Sequence, residues 1–450
     1  MVVTFDGGWL SSEGGALLLD GVEKRTRIIE RFAGCFTDYR DPGRIEHSVK
    51  ELVFQRVIGI ALGYEDLNDH DRLRIDPLLA VVVGKKDPRG LARSRGRDRG
   101  KALAGKSTLN RLELSKPSSA ARCRYKRIAV DTRAVDRLFV EVFQDAHATV
   151  PDQIVLDLDT TDDPIHGQQE GRFFHGYYGS YCYLPLYIFC GRHLLCARLR
   201  TADRDAAAGC VEEVERIVGQ IRERWPEVRI VIRGDSGFAR EALMSWCETN
   251  RVEFVLGLAR NSRLEAELAD ALAEAKRSCE ETGLPCRVFR EFSYQTLDSW
   301  TRSRRVVGKA EALPGKSNPR FIVTSFHADD IAAKALYERL YCARGDMENR
   351  IKDQQLALFA DRTSTATIFA NQIRLWFSSV AYLLLDALRR IALVATDLAS
   401  AQCDTIRLRM LKIGAQIRFS TRRIAVSLVS AFPLARAFLD ATRRLVPIPV

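Results

Sequence analysis

The chain has 450 residues, of which 46% are hydrophobic and 28% charged; that length supports two or three domains around a sizeable core, and the composition is that of an ordinary soluble protein. The 69 Lys and Arg outnumber the 58 Asp and Glu to give a formal charge of +11, which favours a polyanionic partner, nucleic acid before membrane. The 11 cysteines include no Cys-x-x-Cys pair, and the closest spacings, Cys190 to Cys196 and Cys279 to Cys286, are too loose for a zinc knuckle. They read as reduced core thiols of a cytosolic protein. The opening MVVTFDGGWLSS lacks a basic stretch followed by an apolar one, so no secretory signal is expected. The most apolar late stretch, 368–393, is interrupted by Asn371, Arg374, Asp386 and Arg389. It reads as a buried or amphipathic helix rather than a membrane span.

Residues 1 to about 80 read as mostly helical, with helical apolar spacing over 14–28 and 47–62. The polar run 66–76, which contains His70 and Asp71, reads as a solvated loop, with a metal site as the sharper alternative. The most basic segment is 85–106, KKDPRGLARSRGRDRGKALAGK. It is Gly- and Arg-rich without apolar periodicity, so a flexible loop is expected. Its Arg93, Arg95, Arg97 and Arg99 are candidates for DNA phosphate contacts, which position a protein without reading sequence. The plain alternative is a solvated surface loop. Gly100 to Ser107 formally match a phosphate-binding P-loop, but that pattern needs a buried strand before it, and Arg93 to Arg99 cannot be one. Ser107 as the N-cap of a helix over 108–114 is the plainer expectation. Residues 125–146 read as another amphipathic helix.

The texture changes at Pro151. An apolar strand starting at 154 runs into LDLDTTDDP, 156–164, where Asp152, Asp157, Asp159, Asp162 and Asp163 crowd together. On a strand, Asp157 and Asp159 share a face. Two acids there cost energy unless a cation meets them, and a divalent metal is the obvious candidate. Capping turns account for Asp162 and Asp163. Strands at 184–189 and 193–199 pair near Cys190-Gly191, and 211–224 is an amphipathic helix. Strand 228–232 ends in Arg233-Gly234-Asp235-Ser236-Gly237-Phe238. Asp235 thus stands at the C-terminal edge of a strand, where ligands collect in open α/β sheets; taken alone, it is a helix N-cap. Helix 239–249 and strand 252–258 complete an α/β or α+β domain with a mixed sheet. Helix 264–279 and strands at 287–292, 304–307 and 321–324 read as a small β-rich insertion. Helix 329–341 leads into a segment where Glu348, Lys352 and Gln355 lie on one helical face, with Arg344 one turn earlier. A long helix over 365–396 and a basic helical region over 407–444 close the chain. The expected domains are a helical DNA-binding region (1–150), a mixed-sheet domain (151–380, β-rich insertion at about 260–328) and a helical basic region (381–450).

The segments 156–164, 233–238 and 341–355, with the block TDDPIHGQQEGRFFHGYYGSYCYLPLY at 161–187, resemble the signature blocks of DDE transposases of bacterial insertion sequences. The closest resemblance is to insertion-sequence family 1380, and it covers most of the chain. It implies an RNase H-like core whose three acids are Asp159, followed by Thr160, then Asp235 and Glu348, with Asp157 the alternative first acid. Tyr341, Arg344 and Glu348 match a tyrosine–arginine–glutamate–lysine signature whose lysine position holds Gln355 here. Lys352 is the candidate to take over that phosphate contact. The acids would hold two Mg²⁺ or Mn²⁺ ions. Water would free a 3′-OH at the element end, and that 3′-OH would attack target DNA. The partners implied are double-stranded element ends and target DNA, with a homodimer in the synaptic complex and a cytoplasmic, nucleoid-associated location. The competing readings are a transposase-derived DNA-binding protein without catalysis and a P-loop NTPase dependent on Lys106. His166 and His175 are either metal ligands or hydrogen-bonding loop residues. Tyr177, Tyr178 and Tyr181 either stack on an unpaired base or pack in the core, and Trp376 is expected in the core.

Overall fold

The computed structural model describes residues 1–4, 6–119 and 127–446. The chain divides into two compact units, one of residues 143–162 and 173–350, the other of residues 1–142, 163–172 and 351–450. The expected boundary at 380 falls inside the helix Ile368–Ile391, and the C-terminal residues join the N-terminal ones in a single unit.

The first unit is built on a nine-stranded sheet. Its main strands are β1 (Gln153–Thr160), β2 (Leu186–Cys190), β3 (His193–Arg198), β4 (Arg229–Gly234), β5 (Glu253–Leu258), β6 (Cys286–Tyr294), β7 (Arg304–Leu313) and β8 (Arg320–Thr324). They lie in the order β3-β2-β1-β4-β5-β8-β7-β6. The first three form an antiparallel meander, while β4 runs parallel to β1 and β5 parallel to β4. This is the mixed sheet expected of an RNase H-like core. β4 reads as a continuous apolar run because both of its faces are covered. Val231 clusters with Val255, Val307, Ile322, Leu336 and Tyr337; the neighbouring Ile230 and Ile232, also buried, point to the opposite face. Helix α1 (Cys210–Arg224) buries the Val214, Ile217, Val218 and Ile221 stripe.

The segment expected as a small insertion extends this sheet. β8 pairs antiparallel with β5, and β7 and β6 follow, so the edge of β5 is covered rather than left with unpaired backbone groups. Helix α2 (Ala269–Thr282) packs on β6 and β7. Beyond β8 the chain is helical with changing pitch: α-helical Ala333–Ala335, π-helical Leu336–Tyr341, 3-10 Cys342–Arg344, then α3 (Gly345–Lys352) and a π turn, Asp353–Ala357.

The second unit is centred on the helix Ile368–Ile391, which packs against the helices Val49–Ala61 and Ala16–Thr26. By length and composition alone it could cross a membrane, but it is largely buried and includes Asn371, Asp386 and Arg389 among its buried residues. Arg389 donates to Asp353 at 2.9 Å, and Trp376 is fully buried. The basic C-terminal region is only partly helical. Ala415–Phe419 and Ile424–Leu428 form a hairpin that pairs with the strand Trp9–Ser11. Buried and exposed residues alternate along Ala415–Phe419, with Gln416 and Arg418 at the outward positions, the period-two pattern of a half-buried strand. The helix expected over 125–146 begins outside the described residues; within them it is a strand, Ile128–Val130, followed by the helix Thr132–Asp145. Every cysteine among the described residues is a free thiol.

Two sequence readings are overturned in this unit. The helix at the P-loop-like segment is Lys106–Glu113, capped by Gly105 rather than Ser107. Its N-terminus is already taken by Asp71, which accepts from the Lys106 amide at 3.0 Å and lies 3.7 Å from the Lys106 ammonium. A 3-10 turn, Gly96–Asp98, stands where a P-loop requires a strand. His70 is not solvated: it is fully buried, with Nδ1 3.1 Å from Gln55 Nε2. Gly59 makes room for it, since a Cβ there would lie 2.8 Å from His70 Cε1.

Buried histidines give this unit a pH dependence. Burial, with Lys85 and Arg93 nearby, pushes His47 down to about 3, and burial with Arg56 nearby does the same to His70. Both stay neutral in the fold, while the unfolded chain takes up their protons below pH about 6.5. Each histidine therefore withdraws about 1.4 kcal/mol of stability per pH unit as pH drops from about 6.5 towards 3, while buried Glu23, whose carboxyl burial pushes up to about 7, acts with the opposite sign. The expected result is that, below pH about 6.5, the urea midpoint of His47→Gln gains on that of the parent as pH falls. Midpoints of parent and His47→Gln that change in parallel with pH would contradict it.

Candidate active site

Because β1 and β4 are parallel neighbours, their register sets Asp157 opposite Arg233. Arg233 holds that carboxylate through Nε at 2.5 Å and Nη2 at 2.8 Å, and donates from Nη1 to the Leu340 carbonyl at 2.5 Å. Both side chains are buried. The cation that Asp157 needs is thus a guanidinium on the adjacent strand. Two residues further along β1, Asp159 is also buried and accepts from the Thr160 amide at 2.9 Å. Asp235 directly follows β4. It accepts from the Gly237 amide at 2.8 Å and caps the short turn Ser236–Phe238. It does not cap the next helix, Glu241–Thr249, whose N-cap is Arg240. Glu348 lies in the first turn of α3.

Asp159, Asp235 and Glu348 converge on one side chain. Arg344 Nη2 is 3.3 Å from Asp159 Oδ1 and 3.8 Å from Asp235 Oδ2, and Nη1 is 3.7 Å from Glu348 Oε1. Burial pushes the Asp159 carboxyl up to about 6; Arg344 opposes the rise, while Asp235 and Glu348 add to it. Three acids against one guanidinium leave an excess of negative charge. Among the described residues no three His, Cys, Asp or Glu side chains are grouped to hold one metal ion as they stand. The donor set nevertheless fits a hard divalent cation, since it offers only carboxylate oxygens. The Asp159 side chain is 11% exposed, against 45% for Asp235 and 52% for Glu348, so the last two are able to turn from Arg344 towards an ion.

Tyr341 is mostly buried, and its hydroxyl lies over the backbone of β5. A Cβ at Gly257 would come within 2.6 Å of that hydroxyl and 2.9 Å of the Ser236 amide nitrogen. Sequence reasoning passed over Gly257, although a lone glycine inside a strand is itself a signal of close backbone approach. Lys352 is exposed at the end of α3. Gln355 falls in the π turn, which breaks the expected single face, and donates to Asp163 at 2.9 Å.

Of the four loop arginines, Arg93 is engaged by Glu46 at 3.1 Å and His47 at 2.9 Å, whereas Arg95, Arg97 and Arg99 are exposed. The loop is not the flexible arm expected. Arg74 holds Asp98 at 3.1 Å, and Lys85 holds Glu51 at 2.9 Å. The aromatic block forms a hairpin of Phe173–His175 and Ser180–Tyr183. Tyr177 and Tyr181 are exposed on it, and half-buried Tyr178 lies tilted against His175, with ring centroids 5.0 Å apart. Burial pushes the Tyr178 hydroxyl up to about 12, with Asp162 and Asp159 adding to the rise. His166 is exposed.

A family model described as transposase DDE domain group 1 matches the chain over residues 1–450. No curated protein matches it.

Proposed function

We propose that this chain, which belongs to the transposase DDE domain family, group 1, cuts and joins the ends of a mobile DNA element by metal-dependent hydrolysis and transesterification, and that it is of the bacterial type grouped as insertion-sequence family 1380. What supports the reading most is the meeting of Asp159, Asp235 and Glu348, from three separate segments, within 3.3 to 3.8 Å of one guanidinium. These acids would hold two divalent ions, Mg²⁺ or Mn²⁺, and Asp157 would stay with Arg233. When bound, such ions acidify the attacking hydroxyl and stabilise the leaving oxygen of a phosphodiester. The remaining work belongs to the chain. Buried Asp159 supplies a fixed oxygen at the end of β1, while Asp235 and Glu348 supply adjustable ones. Arg344, once relieved of the acids, turns its planar fork towards a phosphate oxygen. Lys352 adds a second cation one turn after Glu348. Arg95, Arg97 and Arg99 grip phosphates as positioning contacts. Water is the first nucleophile and leaves a 3′-OH on the element, which then attacks the target strand with no covalent enzyme intermediate. Two DNA ends call for two copies of the chain in the working complex.

The test is Mg²⁺- or Mn²⁺-dependent nicking of duplexes carrying the element's own ends. Protein that binds such duplexes but never cuts them with either ion would be a DNA-binding relative without catalysis. A second expectation concerns Gly257. In Gly257→Ala the added Cβ pushes Tyr341 away from the turn that carries Asp235. A displacement on the order of 1 Å at a reacting centre costs about 10²-fold in rate. Nicking by this variant should fall by about that factor, and its unfolding midpoint should fall too, because the Cβ also meets the Ser236 amide nitrogen of the turn at 2.9 Å; rates are therefore compared where both proteins are fully folded. An unaltered rate would mean that the contact does not position the acid.

A further inference from the structure

We propose that the C-terminal hairpin Ala415–Leu428 is a second contact for duplex DNA, continuous with the Arg-rich loop at 85–106. This rests on the reading of the chain as a protein that grips DNA. The hairpin and the loop belong to the same unit and touch: the Arg89 guanidinium stacks on the Phe419 ring at 5.5 Å. The loop closes on itself beside that point, where the Gly100 amide donates to the Gly90 carbonyl at 3.0 Å. Arg99 and Arg89 therefore flank the base of the loop, next to the hairpin.

The hairpin has the shape and charge for this partner. The strand Trp9–Ser11 pairs only with Ala415 to Ile417, so residues 418–425 continue as a two-stranded ribbon. B-DNA's major groove admits such a ribbon. One face is spoken for, because Ala415 and Ile417 are buried with Leu78. The other carries Gln416, Arg418 and Ser427, all exposed, and Arg422 and Arg423 are exposed at the tip. The whole ribbon, 415–428, has three arginines and no acid. In the loop the two acids are already occupied, Asp98 by Arg74 at 3.1 Å and Asp87 by the Ala92 amide at 2.7 Å. Hydrogen-bonding side chains with uncompensated arginines at a projecting tip suit phosphates and groove edges.

The test is the salt dependence of duplex binding by the full chain. Removing one cation that neutralises a phosphate lowers the slope of log affinity against log salt by about 0.9. The double variant Arg422→Ala/Arg423→Ala should therefore reduce the slope by about 1 to 2. Lys276→Ala/Arg277→Ala, which removes the same charge from the exposed face of α2, should leave the slope unchanged. Thermal unfolding of both variants should match the parent, because the four side chains are exposed. An equal reduction of slope in both double variants, or a reduction in neither, would overturn the hairpin contact while leaving the enzyme reading in place. A parent chain without salt-dependent duplex binding would overturn both.

Discussion

Replacing Asp235 with Asn is expected to lower Mg²⁺-dependent nicking by at least about 10³-fold, or about 4 kcal/mol of barrier, with little effect on folding. Asparagine has the same shape, and its side-chain oxygen still accepts from the Gly237 amide that Asp235 bonds at 2.8 Å. The turn cap therefore survives. The side chain is 45% exposed, so no buried charge is stranded. What disappears is one anionic donor of three, and a hard cation loses a carboxylate ligand. Rates compared at matched urea midpoints separate this effect from loss of fold. Nicking that persists in Asp235→Asn would remove Asp235 from the metal set. Glu348→Gln is expected to behave the same way, since Glu348 is also half exposed.

Much of the unit built on the nine-stranded sheet is legible in residue order. β4 announces itself by a β-branched run ending in glycine, α1 by its apolar stripe, and Asp235 by its place after a strand. The meander and the parallel strands follow from the order of elements. What residue order does not carry depends on partners distant in sequence. Nothing local says that β8 pairs with β5, so the strands between the second and third acids look like a separate insertion. Nothing local says that Asp71 fills the N-terminus of the helix at Lys106, so the P-loop pattern stays formally possible. The hairpin at 415–428 is hidden because its strands are only five residues each and sit inside a basic stretch that reads as helix. The pair of acids on β1 is the most informative ambiguity. Both need a cation, and the structure gives each a different one, Arg233 for Asp157 and Arg344 for Asp159.

Arg233→Met is expected to be the most destabilising single change at the site. It leaves the Asp157 carboxylate buried without its partner, and breaking a buried pair in this way costs about 3–5 kcal/mol. Burial already raises the Asp157 carboxyl above its ordinary range, and Arg233 is the largest opposing influence. The double variant Asp157→Leu/Arg233→Met should recover most of that loss, because a buried ion pair replaced by apolar side chains is often neutral. A residual cost of about 1 kcal/mol is expected from the Leu340 carbonyl, which loses its donor. The comparison also separates stability from chemistry. Arg233 joins the strand that carries Asp159, the strand that ends before Asp235, and the turn that precedes Tyr341, Arg344 and Glu348. If that link holds the three acids in register, the double variant will be stable yet nick more slowly than the parent. If Arg233→Met costs less than about 1 kcal/mol in urea unfolding, the pair is too weak to be such a link, and the register must come from the sheet alone.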